Sequence, residues 1–530
     1  MVTVLAWRPI TLRSFLERSV PVGRLIARSA RTTRTLADLL RRHVGLTIVV
    51  TAGLALRIVT MAAYQPALWF QGDSGTYVRL SRAWPAMPPR WPFAWLLKAF
   101  EWTGTFASLV AVQHLAGVAL AVATYLVLRR IGVGPWVATL AVTPVLLDAT
   151  QFTLEQYLLT ETLFTTALAV AALLLVRRER PGMVASLVAG VSVALGMATR
   201  PTGVVAIGAL VLFLLLPWRG WRAPTAFLLG IVALFGAAFV GVGTVQGALG
   251  LEGGRFLYGR TAHFADCDRL ELRPGLRKLC PVQPLDQRPD RPDWYIWNIE
   301  SPILDAERPE DLDEFAHEVI KQQPGDYLAA IASDTARYFW PTRLKPMEEC
   351  LANWWRPQLA PTNWAADFNC VPRTARPGYE PLPAPSRDVE ANAASRFLHE
   401  YGRYGVTPAP VMAAMVLIAL AGALWPRRGR LRLSMIALLY AGIGVGIMVF
   451  SVATSMFDHR YGLPALAFLP IAAAVGWQRL RSTPVSTDRH TPADGEPERL
   501  APTISSESNG DHDERTGDRG HGAAAVPQRG

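Results

Sequence analysis

The sequence predicts a mainly α, polytopic membrane helix bundle of about ten spans, N-in and C-in, with a disulfide-containing extracytoplasmic domain inserted late in the chain. Three observations predict it: an apolar composition with little charge, a series of membrane-length apolar runs, and an alternation of charge between the loops that join them. Of 530 residues, 51% are hydrophobic and 18% charged, against roughly 25% charged in soluble domains. The mean hydropathy is +0.21. At roughly 150 residues per soluble domain the length alone would suggest three or four domains; the apolar excess argues against that division. The net charge of +11 would by itself point to nucleic acid, but cytoplasmic loops of membrane proteins also collect Lys and Arg.

A bilayer core of about 30 Å needs about 17–25 apolar residues per helix. Ten runs qualify, near 44–64, 108–128, 136–154, 158–176, 183–199, 202–217, 223–249, 409–425, 433–453 and 462–478. The segment 1–43 ahead of the first is basic, with Arg8, Arg13, Arg18, Arg24, Arg28, Arg31, Arg34, Arg41 and Arg42 against Glu17 and Asp38. It is too Arg-rich and too weakly apolar for a signal peptide, so the first run is read as an uncleaved anchor. Alternate later loops are basic as well: Arg129-Arg130, Arg177-Arg178 with Arg180, Arg219 with Arg222, Arg427-Arg428 with Arg430 and Arg432, and Arg479 with Arg481. With ten spans all of these fall on the N-terminal side, which predicts a cytoplasmic N-terminus and C-terminus.

The remaining loops then face outward. Two are large, 65–107 and 250–408. The second holds 24 acids and 19 bases, a net of −5, which leaves 34 bases and 18 acids, a net of +16, for the rest. All four cysteines, Cys267, Cys280, Cys350 and Cys370, lie in this loop. An even number confined to an oxidising side predicts disulfides, with local pairing, Cys267–Cys280 and Cys350–Cys370, as the first of three connectivities. Helices are expected at 310–323, where Pro309 suits a helix start, and at 326–340. The Trp-rich stretches WYIW at 294–297 and Trp354-Trp355 are either core and interfacial packing or a sugar-binding face. Residues 481–530 are rich in Ser, Thr, Pro, Gly, Asp and Arg and predict a disordered cytoplasmic tail. The sequence has no Walker loop, no GxGxxG in a βαβ context and no HExxH.

Polar residues with chemical potential gather at the outward ends of the runs. Asp73, in WFQGDSGTYVRLSRAW, stands just beyond the first run. It is either the N-cap of a following helix or a general base held at the membrane surface; Tyr77, four residues on, shares its helix face. The turn DATQFTLEQYLLTETLF brings Asp148, Glu155 and Glu161. Carboxylates at apolar helices are costly and often functional, and Glu161 either does chemistry or pairs with a neighbouring helix, for instance through Arg57. Arg200, in ATRPTG, and the turn SMFDHRYGLP with Asp458, His459, Arg460 and Tyr461 also face outward. Arginine's rigid fork suits phosphate; snorkelling to lipid headgroups is the alternative.

An Asp in a long first outer loop, TETLF after a polar turn, RPTG, DHRYGLP, and FAHEVIKQQPGDYLAAIASDTARYFWP at 315–341 together resemble the GT-C glycosyltransferases. The likeness is greatest to the protein O-mannosyltransferase and aminoarabinose transferase type in its bacterial form. It covers about 44–250 well and 310–478 in patches. The resemblance implies a sugar donor on a polyprenyl phosphate. It implies Asp73 as the base for an acceptor hydroxyl on a glycan, lipid or protein, and transfer with inversion. It also implies Arg200 and Arg460 at the phosphate, and Tyr77, Glu161, His459 and Tyr461 in the substrate site. Many relatives carry two adjacent acids in the first loop; here Ser74 follows Asp73 and the next acid is Glu101. A lone Asp is a poor site for a hard cation, so neither a metal nor another cofactor is expected, and no nucleic-acid partner. The competing function is a transporter or flippase of lipid-linked glycans; a membrane protein with a non-catalytic binding ectodomain is a third. A transporter should scatter ionisable groups toward the midplane, where Arg57 is the one clear charge.

Overall fold

Long apolar helices dominate because uninterrupted Leu, Val, Ala and Ile runs satisfy every backbone group internally, as a bilayer demands. The computed structural model describes residues 43–70, 73–84, 90–216, 220–242, 254–289, 291–298, 300–341, 352–360, 390–425 and 431–481. The basic segment before His43, the tail beyond Arg481, and Cys350 and Cys370 with their expected bridge lie outside the described residues. Among the described residues there are helices and one isolated parallel bridge, Leu68 to Tyr157, and no strand.

Helices stand on all ten apolar runs. Four are long and apolar enough to cross a membrane alone: α1 (Val44–Ala63), α4 (Ala107–Arg130), the stretch Arg222–Val240 of α10 (Arg222–Val242) and α17 (Leu431–Thr454). Three more candidates are bent pairs. These are α5 (Pro135–Leu147) with α6 (Ala149–Gln156), bent by 46°, α15 (Ala393–Tyr404) with α16 (Ala409–Leu424), bent by 52°, and the segment His459–Ala467 with α18 (Leu469–Arg481), bent by 41°. Shorter apolar helices are α7 (Glu161–Val176), α8 (Met183–Thr199) and α9 (Val204–Leu214). Ile48, Ile58, Leu140, Leu187, Leu212, Leu417 and Leu424 are exposed on these helices. Apolar faces of that kind fit a multi-pass membrane protein.

The expected continuous run 136–154 is in fact broken at Asp148. Pro144 inside α5 removes one helical hydrogen bond. Asp148 turns extended, and its carboxylate accepts from the Thr150 and Gln151 backbone N–H groups, capping α6. Its other oxygen accepts from Thr407 N at 2.6 Å, so this capping carboxylate also ties down the approach to α16. Every residue of α6 is buried. Elsewhere, small residues let helices approach closely: a Cβ on Gly190 of α8 would collide with the Phe227 carbonyl of α10, and one on Gly230 with the Leu187 carbonyl.

Between α10 and α15 lies a loop-rich insertion. Helices α11 (Arg255–Ala262), α12 (Pro292–Trp297) and α13 (Pro309–Gln322), with α14 (Pro324–Ala336) following them, carry a small core of Tyr258, Leu276, Leu279, Tyr295, Phe315 and Val319 to which α14 adds no residue. Cys267 and Cys280 are disulfide-bonded, as local pairing predicts. Pro324 opens α14 rather than merely separating two helices, because N1 tolerates a residue without an N–H. Trp294 and Tyr295 are core residues, and Trp297 is exposed. The following stretch behaves differently: Trp355 and Leu398 share a core with Leu56, Tyr64 and Tyr157 of the bundle.

Candidate active site

Two short helices precede the site: α2 (Ser74–Ser81) and α3 (Trp91–Phe100). The first loop is stitched to the chain ahead of Glu161. Leu68 N donates to Gln156 O at 2.9 Å, and Leu158 N to Leu68 O at 3.2 Å. Ser74 Oγ donates to Leu158 O at 3.0 Å and accepts from Phe70 N at 2.9 Å. These bonds set Asp73, at the start of α2, beside Glu161, at the start of α7. Arg200 ends α8. Arg460 stands in a one-turn helix, His459–Gly462, whose N-cap Asp458 accepts from Arg460 N at 2.8 Å.

Asp73 occupies the N-cap position of α2, but its carboxylate makes no capping bond. It accepts instead from Arg460 Nη2 at 2.8 Å and lies 3.8 Å from Arg90 Nη1. The capping alternative therefore fails. Glu161 is 1% exposed; its Oε1 is shared by Arg460 Nε and Arg200 Nη1. Its Oε2 is buried without a partner among the described residues. Arg460 thus bridges two carboxylates. Three guanidiniums and two carboxylates give the cluster a formal charge of +1.

Aromatic rings wall the cluster. The Arg460 guanidinium lies 5.2 Å from the Phe70 ring centre and 5.3 Å from that of Trp355, contacts of cation–π type. Trp355 Nε1 donates to Asp458 Oδ1 at 2.9 Å, which fixes both the ring and the Arg460 turn. Arg200 lies 5.0 Å from the Tyr461 ring centre. Tyr77 accepts a hydrogen bond from Arg90 Nη1 at 3.1 Å and packs edge-on against Phe93.

Asp73 remains 25% exposed. Burial pushes its carboxyl up, but the guanidiniums of Arg460, Arg90 and Arg200 together outweigh burial and hold it below the ordinary value. It is ionised at neutral pH. Burial pushes the Tyr77 phenol up, so that hydroxyl stays protonated.

The expected Asp73, Tyr77, Glu161, Arg200, Arg460 and Tyr461 therefore converge. His459 packs edge-on against Phe457 at 5.0 Å between ring centres. Pairing of Glu161 with Arg57 is corrected: Arg57 makes a two-pronged ion pair with Glu155 at 2.8 and 2.9 Å. It also donates to the carbonyls of Leu146 and Val145, and His114 Nδ1 lies 2.9 Å from Glu155. Glu155 is thus a buried structural partner. Sequence reasoning missed Arg90, Phe70 and the Trp355–Asp458 support. Arg90 shares its loop with Arg79 and Arg82, and no spacing in the sequence singles it out.

A family model described as dolichyl-phosphate-mannose-protein mannosyltransferase matches residues 89–241. No curated protein and no solved structure matches the chain. The matched stretch holds Arg90, Glu161 and Arg200; Asp73 and Arg460 lie outside it. The similarity supports a membrane glycosyltransferase of the GT-C kind, with a lipid-linked sugar donor in general.

Proposed function

We propose that the protein transfers a sugar from a polyprenyl-phosphate donor to an acceptor hydroxyl at the outer face of the cytoplasmic membrane, with ten spans and Asp73 as the base. The observation that carries it is the convergence of an ionised, partly exposed Asp73 with Glu161, Arg200 and Arg460, drawn from four distant chain segments. In this reading the acceptor O–H proton passes to Asp73 while the acceptor oxygen attacks the anomeric carbon. The bond from that carbon to the phosphate oxygen breaks, and polyprenyl phosphate leaves with the electron pair. Attack opposite the leaving group inverts the centre. Positive charge at the departing phosphate is what the step needs, and Arg200 and Arg460 supply it without a resident metal.

The Arg460 contact also suggests how the base is activated. With no donor present, Arg460 suppresses the basicity of Asp73. A donor phosphate competing for the same guanidinium weakens that hold, so Asp73 becomes a better base when a leaving group is in place. The transport alternative draws no support from Arg57, whose buried charge is closed by Glu155 and backbone carbonyls.

The test is Asp73→Asn, assayed for transfer of labelled sugar from polyprenyl phosphate. We expect kcat to fall about 10²–10⁴-fold, the range of general-base catalysis, in protein that still folds, because Arg460 keeps Glu161 as a partner. Full retained activity would falsify Asp73 as the base.

A further inference from the structure

A second cluster of arginines lies where the insertion meets the Arg460 turn. Arg260 of α11, His263, Arg291, Ser333 and Asp334 of α14, and Arg337 line a cavity of about 120 Å³ floored by Phe457. A single water needs only about 10–15 Å³ by the same measure, so the space has room for a small anion. Arg260 is 1% exposed. Its Nη1 donates to Asp334 Oδ2 at 2.6 Å, but Nε and Nη2 are buried without a partner among the described residues. Two buried charged donors left unmade are costly unless something accepts from them.

The surrounding charges define that acceptor. Asp334 is divided between Arg260 and Arg337, the latter at 3.4 Å. Arg337 lies 4.0 Å from the Phe457 ring centre. Arg291 is held by Asp293 at 3.0 Å and lies 3.6 Å from Asp458. His263 Nδ1 lies 3.2 Å from Pro289 O. Among the described residues Asp334 is the one carboxylate in the lining, and its two oxygens are taken. The neighbouring Nε and Nη2 of one guanidinium form the fork that matches two oxygens of an anion.

We propose that this cavity binds a phosphate-type oxyanion between Arg260 and Arg337, the Arg260 side chain turning its Nε and Nη2, closed to water at rest, toward it. Arg291 joins the site to Asp458, and so to the turn that carries Arg460. The oxyanion belongs either to a lipid headgroup or to a phosphorylated acceptor. The proposal stands on its own geometry and holds even if Asp73→Asn retains transfer.

The experiment is thermal unfolding of the purified full-length protein titrated with inorganic phosphate, with chloride at equal ionic strength as control. A ligand that binds the native state raises Tm saturably. We expect that rise in the wild type and its loss in Arg260→Gln. A wild type that responds alike to both salts, or an Arg260→Gln that responds as the wild type does, overturns the proposal. Should Arg260→Gln not fold, Ser333→Asp decides: its carboxylate at the cavity mouth takes the anion's place. It should keep or raise Tm without phosphate and weaken the phosphate response at least about tenfold; an unchanged response overturns the site. Mixed micelles identify the source. Stabilisation by phosphatidic acid over phosphatidylcholine, absent in Ser333→Asp, assigns a headgroup. Without it, a KM for a phosphorylated acceptor raised about tenfold at constant kcat in Ser333→Asp assigns the acceptor.

Discussion

Arg460 is the residue on which the site turns, because it is the only side chain that contacts both Asp73 and Glu161 among the described residues. Removing one member of a buried ion cluster strands the others. Arg460→Gln should destabilise by about 3–5 kcal/mol, read as a lowered denaturant midpoint, and abolish transfer. Arg460→Lys keeps the charge but not the fork that reaches two carboxylates; it should recover much of the stability and little of the activity. The pH dependence follows from Asp73. Its carboxyl is held below the ordinary aspartate value in the free protein by Arg460, Arg90 and Arg200, so the base is ionised at neutral pH and is lost only as pH falls through the lowered value. We expect kcat/KM, which reports the free enzyme, to have no acidic limb between about pH 5 and 8 from this group. A limb in that window that disappears in Asp73→Glu would contradict the assignment. None of this geometry was legible locally: Arg460 and Glu161 are 299 residues apart, and Asp73 has the sequence context of an N-cap whose bond it does not make.

The break between α5 and α6 shows the same limit at the scale of an element. Composition marks 136–154 as one apolar run, yet Pro144 and a capping Asp148 divide it. The division places α6 so that Glu155 meets Arg57 and the 156–158 backbone meets the first loop. Asp148→Ala removes the cap and strands the Thr407 N–H. It should cost about 1–3 kcal/mol, and sugar transfer should fall with it, since α6 leads directly into Glu161. Unchanged denaturant midpoint and activity in Asp148→Ala would show that the break does not depend on the cap. Helix existence was legible in every apolar run because it depends on local hydrophobicity. Where a helix bends depends on which carboxylate finds an N–H to cap.

For the whole molecule, the charge alternation assigns sides that the fold alone does not. If the first loop faces outward and the 177–182 loop inward, single cysteines at Ser81 and Glu179 should differ, in a background without the native four. An impermeant maleimide on intact cells should label Ser81→Cys, and should reach Glu179→Cys only after permeabilisation. Labelling of both from outside would overturn the orientation. The insertion adds its own small core and a disulfide, while Trp355 and Leu398 pack into the bundle and the Trp355 indole N–H holds Asp458.

By itself the sequence determined the apolar helices, the basic and acidic loops and a short roster of polar residues, and it put the local Cys267–Cys280 bridge first among three connectivities, because hydropathy, charge and short-range pairing act on neighbouring residues. Only the tertiary structure decided that Asp73 is held by Arg460 and Arg90 rather than capping α2, that Glu161 meets Arg200 and not Arg57, and that Arg260 is left with two unmade donors. Those outcomes depend on which buried charges the packed helices bring within a few ångströms, and burial makes an ion pair worth forming only when its partner arrives from elsewhere in the chain.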